Sequence, residues 1–121
     1  MREKELARTN INVAKPITYS STEVLTGDTW IDGKPIYRRV VTGSVTAGTE
    51  KKITYAASDV VDQVIRLDGM HQVSWGWLPF TYYAANSNQL RIYASKTQIV
   101  FNSSNLDGTV RVIIEYTKVA D

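Results

Sequence analysis

Between Thr109 and Thr117, apolar and polar side chains alternate. Val110, Val112, Ile114 and Tyr116 share one parity, while Arg111 and Glu115 take the other. A two-residue period is the signature of a strand with one face on a core. From Tyr19 onward, Thr, Val, Ile, Tyr and Trp dominate, with turn residues roughly every 8–12 positions, which is the rhythm of an all-β sandwich or barrel. The pattern predicts strands over Lys52–Tyr55, over Gln63–Leu67 closed by Asp68-Gly69, and over Gln72–Trp75 ended by Gly76. A short piece follows at Tyr82–Ala84, then the polar loop Asn86–Gln89, a meander of Leu90–Ser95 with Gln98–Asn102, and a loop over Asn102–Gly108. A single helical turn is expected at Ala56–Asp62, with Ser58 or Asp59 as its N-cap.

The clearest hairpin signal is Thr29-Trp30-Ile31-Asp32-Gly33-Lys34-Pro35-Ile36-Tyr37. Asp-Gly suits a two-residue type I′ turn. Such a closure pairs Ile31 with Lys34 and Trp30 with Pro35, so that Trp30 packs across the strand on the proline ring and Tyr37 shares that face. Pro35 cannot donate a ladder hydrogen bond, which favours an edge strand or an outward-facing nitrogen. The strand then continues through Arg38-Arg39-Val40-Val41-Thr42 to a break at Gly43.

Residues 1–18 differ. Met1–Arg8 has helix-forming composition but is too short to be stable alone. Thr9–Thr18 is polar and β-branched, and Pro16 blocks a helix. The reading is therefore an N-terminal arm over residues 1–18, for anchoring or as a linker, and one β domain over residues 19–121. That domain is expected to be an antiparallel β-sandwich, jelly-roll-like, of seven to nine strands.

Bulk properties narrow the function. The chain has 121 residues, 43% hydrophobic and 21% charged, with a net charge of +2, a globular composition with one core. Nucleic-acid binders concentrate basic residues on one face. Here the only basic pairs are Arg38-Arg39 and Lys51-Lys52, both read as solvated strand positions, so no nucleic-acid partner is expected. The absence of cysteine excludes disulfides, thiolate chemistry and a cysteine zinc site. A cysteine-free protein exposed outside a cell is usually stabilised by oligomerisation. No apolar run approaches the roughly 20 residues that span a bilayer, and Met1–Leu6 has no apolar signal core. Synthesis in a host cytoplasm without membrane insertion is expected.

Catalytic signals are weak. His71 is the single histidine. Asp68 precedes it by three positions, so a metal pair is conceivable, but nothing nearby completes a site. No motif positions a serine nucleophile, and no glycine-rich phosphate loop is present. Glu23, Asp28, Glu50, Asp59, Asp62, Asp68 and Glu115 are the carboxylates that a glycoside hydrolase would pair. The contexts Asp32-Gly33, Asp68-Gly69 and Asp107-Gly108 instead suggest Asp serving turns. The expectation is no enzyme, no cofactor and no metal. The aromatic cluster Trp75, Trp77, Phe80, Tyr82 and Tyr83 is the more informative feature. It serves as core or subunit interface in one reading, and as a ligand-binding surface in the other. Strand parity would place Trp75 and Trp77 on the same side.

Two segments carry a resemblance. Tyr19-Ser20-Ser21-Thr22-Glu23, leading into Gly27-Asp28-Thr29-Trp30-Ile31-Asp32-Gly33-Lys34-Pro35-Ile36-Tyr37-Arg38, resembles a segment of bacteriophage virion modules: head fibres, tail-fibre tips, minor tail and decoration proteins. Val112-Ile113-Ile114-Glu115-Tyr116-Thr117-Lys118 resembles their closing strand. The resemblance covers about residues 19–121 and implies a homotrimeric β-sandwich displayed on the virion. It implies no catalysis and assigns no binding residues. With a short arm before the motif, the chain is expected to be a whole small virion protein, nearer to a head fibre or decoration protein than to a long tail fibre. Its arm would dock on a capsid, neck or tail component. The alternative is an adhesion module that meets a host-surface glycan or protein through Trp75, Trp77, Tyr82 and Tyr83.

Overall fold

The computed structural model describes residues 18–80, 90–103 and 106–120. The arm expected over residues 1–18 lies outside them except for Thr18, as do Tyr82, Tyr83 and the loop Asn86–Gln89.

Eight strands form two antiparallel sheets, so the chain is a β-sandwich without a helix among the described residues. They are β1 (Val24–Thr29), β2 (Pro35–Val45), β3 (Glu50–Thr54), β4 (Val61–Val73), β5 (Gly76–Pro79), β6 (Leu90–Ala94), β7 (Gln98–Ser103) and β8 (Gly108–Lys118). The larger sheet runs β1-β2-β8-β4-β5 and the smaller β3-β7-β6. The chain passes from one sheet to the other between β2 and β3, β3 and β4, β5 and β6, and β7 and β8.

The alternation in β8 holds along its length: Val110, Val112, Ile114 and Tyr116 are all buried. Val41 and Val45 of β2, Val61 of β4, Ile99 and Phe101 of β7, and Tyr55 complete the core between the sheets. Its aromatic end is stapled by polar contacts. Tyr116 stacks with Tyr37 at 6.2 Å and meets Tyr55 at 5.5 Å. The Tyr116 hydroxyl donates to Glu23, whose other carboxylate oxygen accepts from Lys118. Lys34 donates to Asp62 and to the Lys118 carbonyl. The two segments singled out in the sequence, Tyr19–Arg38 and Val112–Lys118, are thus bonded to each other.

Several local expectations are corrected. The first hairpin closes with three residues, not two. The Trp30 N–H donates to the Lys34 carbonyl, the Gly33 N–H donates to the Trp30 carbonyl, and Pro35 sits opposite Thr29. Only Gly33 takes a positive φ, 86°, and Asp32 accepts from the Lys34 N–H. This is the economy of a tight turn followed by one left-handed residue, which needs a single glycine. Trp30 therefore pairs with Lys34 rather than Pro35, and Pro35 opens a strand flanked on both sides, at the first position where a missing N–H is tolerated. Gly43 does not break β2. It lets the sheets approach, since a β-carbon there would lie 2.3 Å from Cδ1 of Ile53 and 3.0 Å from Cζ of Phe101. Ala56–Asp62 holds a turn with Asp59 at φ 63° rather than a helical turn. Asp68-Gly69 is no turn either: β4 runs through it, with Gly69 pressed against the Arg111 carbonyl of β8. The real turn is Ser74-Trp75, between Val73 and Gly76.

Candidate functional site

The inner face of the larger sheet is spent on the core, so the outer face is where the fold offers a surface. Strand register determines what lies there. One cross-strand row is charged: Arg38 of β2, Glu115 of β8 and Arg66 of β4. The next holds Val40, Ile113 and Asp68, followed by Thr42, Arg111, Met70 and Pro79. The last is Ser44, Thr109, Gln72 and Trp77. Across these rows runs an open groove of about 390 Å³, lined by Tyr19, Val40, Gly69, Met70, Trp77, Arg111 and Ile113.

The charged groups around the groove are engaged with one another. Arg38 donates to Glu115 at 2.8 Å, with both side chains close to nine-tenths buried. Arg66 bridges Glu115 at 3.3 Å and Asp68 at 3.2 Å. The Gly69 N–H and Arg66 hold the Asp68 carboxyl below its ordinary range. Arg111 donates to Gln72 at 2.7 Å. Arg38 also lies 5.1 Å from the Tyr19 ring centroid and donates to the Thr18 carbonyl, which fixes Tyr19 on this face. Arg38 is therefore buried and paired, not the solvated strand position expected of the Arg38-Arg39 doublet. Lys51 and Lys52 are exposed as expected.

The predicted aromatic cluster is divided. Trp75 and Trp77 are 60% and 64% exposed, but not on one strand face. Trp75 stands at the tip of the β4–β5 turn, and Trp77 lies on the outer face of β5. The turn at Ser74-Trp75 breaks the parity that would have put them together. Phe80 packs inward against the core. Tyr82 and Tyr83 lie outside the described residues. Of the hairpin residues, Trp30 is half-buried, Asp32 and Gly33 serve the turn, and Tyr37 faces the tyrosine cluster.

The titratable groups are likewise dispersed. Glu23 binds Tyr116 and Lys118, Asp62 binds Lys34, and Glu50 lies 3.8 Å from Lys52. Asp68 and Glu115 share a cation, Arg66. Asp28 lies exposed on β1, and Asp59 occupies its left-handed turn. His71 cannot join Asp68 around a metal, because three positions along a strand place them on opposite faces. Asp68 is outward, while His71 is fully buried beneath Gly108, with Nε2 lacking a partner and its pKa lowered by burial. Among the described residues no three His, Asp or Glu side chains gather as metal ligands.

The groove residues Val40, Met70 and Ile113 were missed by sequence reasoning, although a signal existed. The doublet Val40-Val41 and the run Val112-Ile113-Ile114 each place an apolar side chain on both faces of a strand. A strand with one wet face has no reason to do so. No family model, curated protein or solved structure matches the chain. Chemically, the arrangement offers apolar and aromatic contact beside a self-neutralised ion network, which suits binding.

Proposed function

We propose that this chain is a non-enzymatic structural module of a bacteriophage particle, displayed on the virion as a head-fibre or decoration-type protein and acting by binding other molecules. The observation that carries a binding role is the outer face of the larger sheet, where Tyr19, Val40, Met70, Trp77 and Ile113 line an open apolar groove. Contiguous apolar surface of this kind marks interaction sites. The phage setting draws its support from the resemblance of Tyr19–Arg38 and Val112–Lys118. The fold ties these segments together through Glu23–Tyr116 and Lys34–Lys118. The homotrimer and the attachment of the arm to a capsid, neck or tail component belong to the same proposal. Its test is fractionation of particles from the source that encodes the chain, followed by mass spectrometry. Co-purification with particles at a fixed stoichiometry through a density gradient is expected; recovery only among soluble lysate proteins overturns it.

A second reading, adhesion to a host-surface glycan, is favoured by the exposure of Trp75 and Trp77 at one end of the sheet. Aromatic faces stack on sugar rings, but the groove floor offers few groups to bond hydroxyls. Glycan-array binding that disappears in Trp75→Ala or Trp77→Ala, with the far-ultraviolet circular dichroism unchanged, would establish this reading.

A further inference from the structure

On the β2–β3 side of the sandwich, two unpaired strand edges border a single groove. We propose that this groove takes an extended acidic segment of a partner protein, added as a strand along β2 at Thr42–Val45. It shares no lining residue with the outer-face groove and does not depend on the phage reading.

β2 outruns its neighbour. β1 pairs with it only as far as Arg38, and the Ser20 carbonyl extends the contact to the Val40 N–H. Backbone groups of an antiparallel strand alternate between its two sides. Thr42 and Ser44 share Val40's parity, so their N–H and C=O groups point away from β8. Among the described residues no strand meets them. β3 is open as well. The Tyr55 N–H donates to the Thr97 carbonyl on the β7 side, so the backbone groups of Lys52 and Thr54 turn outward. Between the two edges lies a groove of about 540 Å³, whose lining includes Thr42, Ser44, Lys51, Lys52, Ile53 and Thr54. One end is closed by the crossing from β2 to β3, where the Thr49 N–H donates to the Thr46 carbonyl and the Gly48 N–H to the Ser103 carbonyl. At the other end Arg39 ties the Ser21 carbonyl to the Tyr55 carbonyl.

The charges of the lining select the partner. Ile53 faces β2, since its Cδ1 lies 2.3 Å from where a β-carbon of Gly43 would stand, and Lys51 has the same strand parity. Among the described residues Lys51 makes no ion pair. Lys52 meets only Glu50, at 3.8 Å and with both side chains about half exposed, a pair that contributes little. Among the described residues no carboxylate lines the groove. An open strand edge is a template for a further strand, and lysines beside it repel an identical edge. A second copy would set Lys51 and Lys52 against their own like, whereas acidic side chains would complement them. In strand addition the main-chain bonds supply affinity and the side chains supply choice. The open edge Thr42–Val45 is about 13 Å long, so a segment of about six residues covers it.

The probes are two end-blocked, fluorescein-labelled octapeptides added to the full chain, one alternating Glu with Val and the other Lys with Val. By fluorescence anisotropy the Glu peptide should bind at least about tenfold tighter than the Lys peptide, and Lys51→Glu should reverse that order. Ser44→Pro removes one outward N–H while the ladder to β8, carried by Gly43 and Val45, keeps its bonds. It should weaken the Glu peptide by about tenfold. Amide hydrogen exchange of the unaltered chain decides even if either variant misfolds: the Glu peptide should slow exchange at Thr42 and Ser44. Binding of that peptide without such protection overturns the proposal, because the lysines would then be a general anion patch. Absence of binding at millimolar peptide overturns it too. So does protection of Thr42 and Ser44 in the chain alone that is lost on hundredfold dilution, which would assign the edge to a second copy.

Discussion

The two faces of the larger sheet are built from the same strands yet obey different rules. On the inner face, Val110, Val112, Ile114 and Tyr116 are packed to near-zero exposure against β7 and Tyr55, and glycines stand where a side chain would not fit. On the outer face, Val40, Ile113 and Met70 lie beside a network of Arg38, Glu115, Arg66 and Asp68, and among the described residues no other strand covers them. Neighbours in sequence therefore differ sharply: Ile114 is fully buried, whereas Ile113 is a groove residue. Apolar character alone does not define a core residue; the element packed over it does.

Substitutions at neighbouring positions sharpen this contrast. The largest effect is expected at Gly69, where a β-carbon would lie 1.9 Å from the Arg111 carbonyl oxygen at φ 142°. Gly69→Ala should cost at least about 3 kcal/mol, while Met70→Ala beside it, on the other face, should cost within about 1 kcal/mol. Urea denaturation measures both, and equal losses would erase the distinction.

Ile114→Ala opens a cavity in the core and should cost about 2–5 kcal/mol. Ile113→Ala should cost about 1 kcal/mol. If thermal unfolding shows Ile113 to be the costlier of the two, the outer face is enclosed in solution rather than open as a groove.

A smaller effect is expected in the ion network. Glu115→Gln leaves Arg38 nearly buried without its carboxylate and should cost about 2 kcal/mol, the range for a hydrogen bond to a charged group. Chemical denaturation in low and high salt tests this. A loss that vanishes entirely in high salt would mean that the pair behaves as an exposed one.

The pH dependence separates the core from the rim. His71 is buried and neutral, with its folded pKa below 6.5. Below pH 6.5 the unfolded chain takes up a proton that the folded chain refuses, so stability falls as pH drops toward the folded value. The slope attributable to this group is at most about 1.4 kcal/mol per pH unit. His71→Leu should flatten the stability curve between pH 6.5 and 5, and an unchanged acid slope would refute the assignment. At the alkaline end the sign reverses: burial pushes Tyr55 up to about 12 and raises Tyr116 further. Their contribution is present below pH 10 and is lost as pH rises above it.

Much of the fold was legible in the chain. The alternation of β8, the meander of β6 and β7, and the all-β character follow from side-chain period and β-branched composition. What misled was punctuation. Asp68-Gly69 and Gly43 look like strand ends because glycine usually marks turns, but here each relieves a contact made by a distant segment. Ser74-Trp75 carries no strong turn signal, yet it is the hairpin tip. Reading it as strand put Trp75 and Trp77 on one face. For the candidate site, Trp77 of the aromatic cluster lines the groove, but the division of Trp75, Trp77 and Phe80 among turn tip, outer face and core was not legible. The aliphatic floor of the groove was overlooked although its doublets were visible.

The sequence by itself determined which side chains share a face, because a strand's two-residue period is a local property of the backbone. It also set the inventory of reactive groups, with no cysteine and a single histidine. Only the tertiary structure decided which of the two apolar faces would be enclosed. That choice depends on strand order: placing β8 between β2 and β4 lines up Val40, Ile113 and Asp68 in one row and Val41, Val112 and Gly69 in another. The β3-β7-β6 sheet closes over the second row alone. Strand order arises from contacts far apart in the chain, which a local period cannot encode.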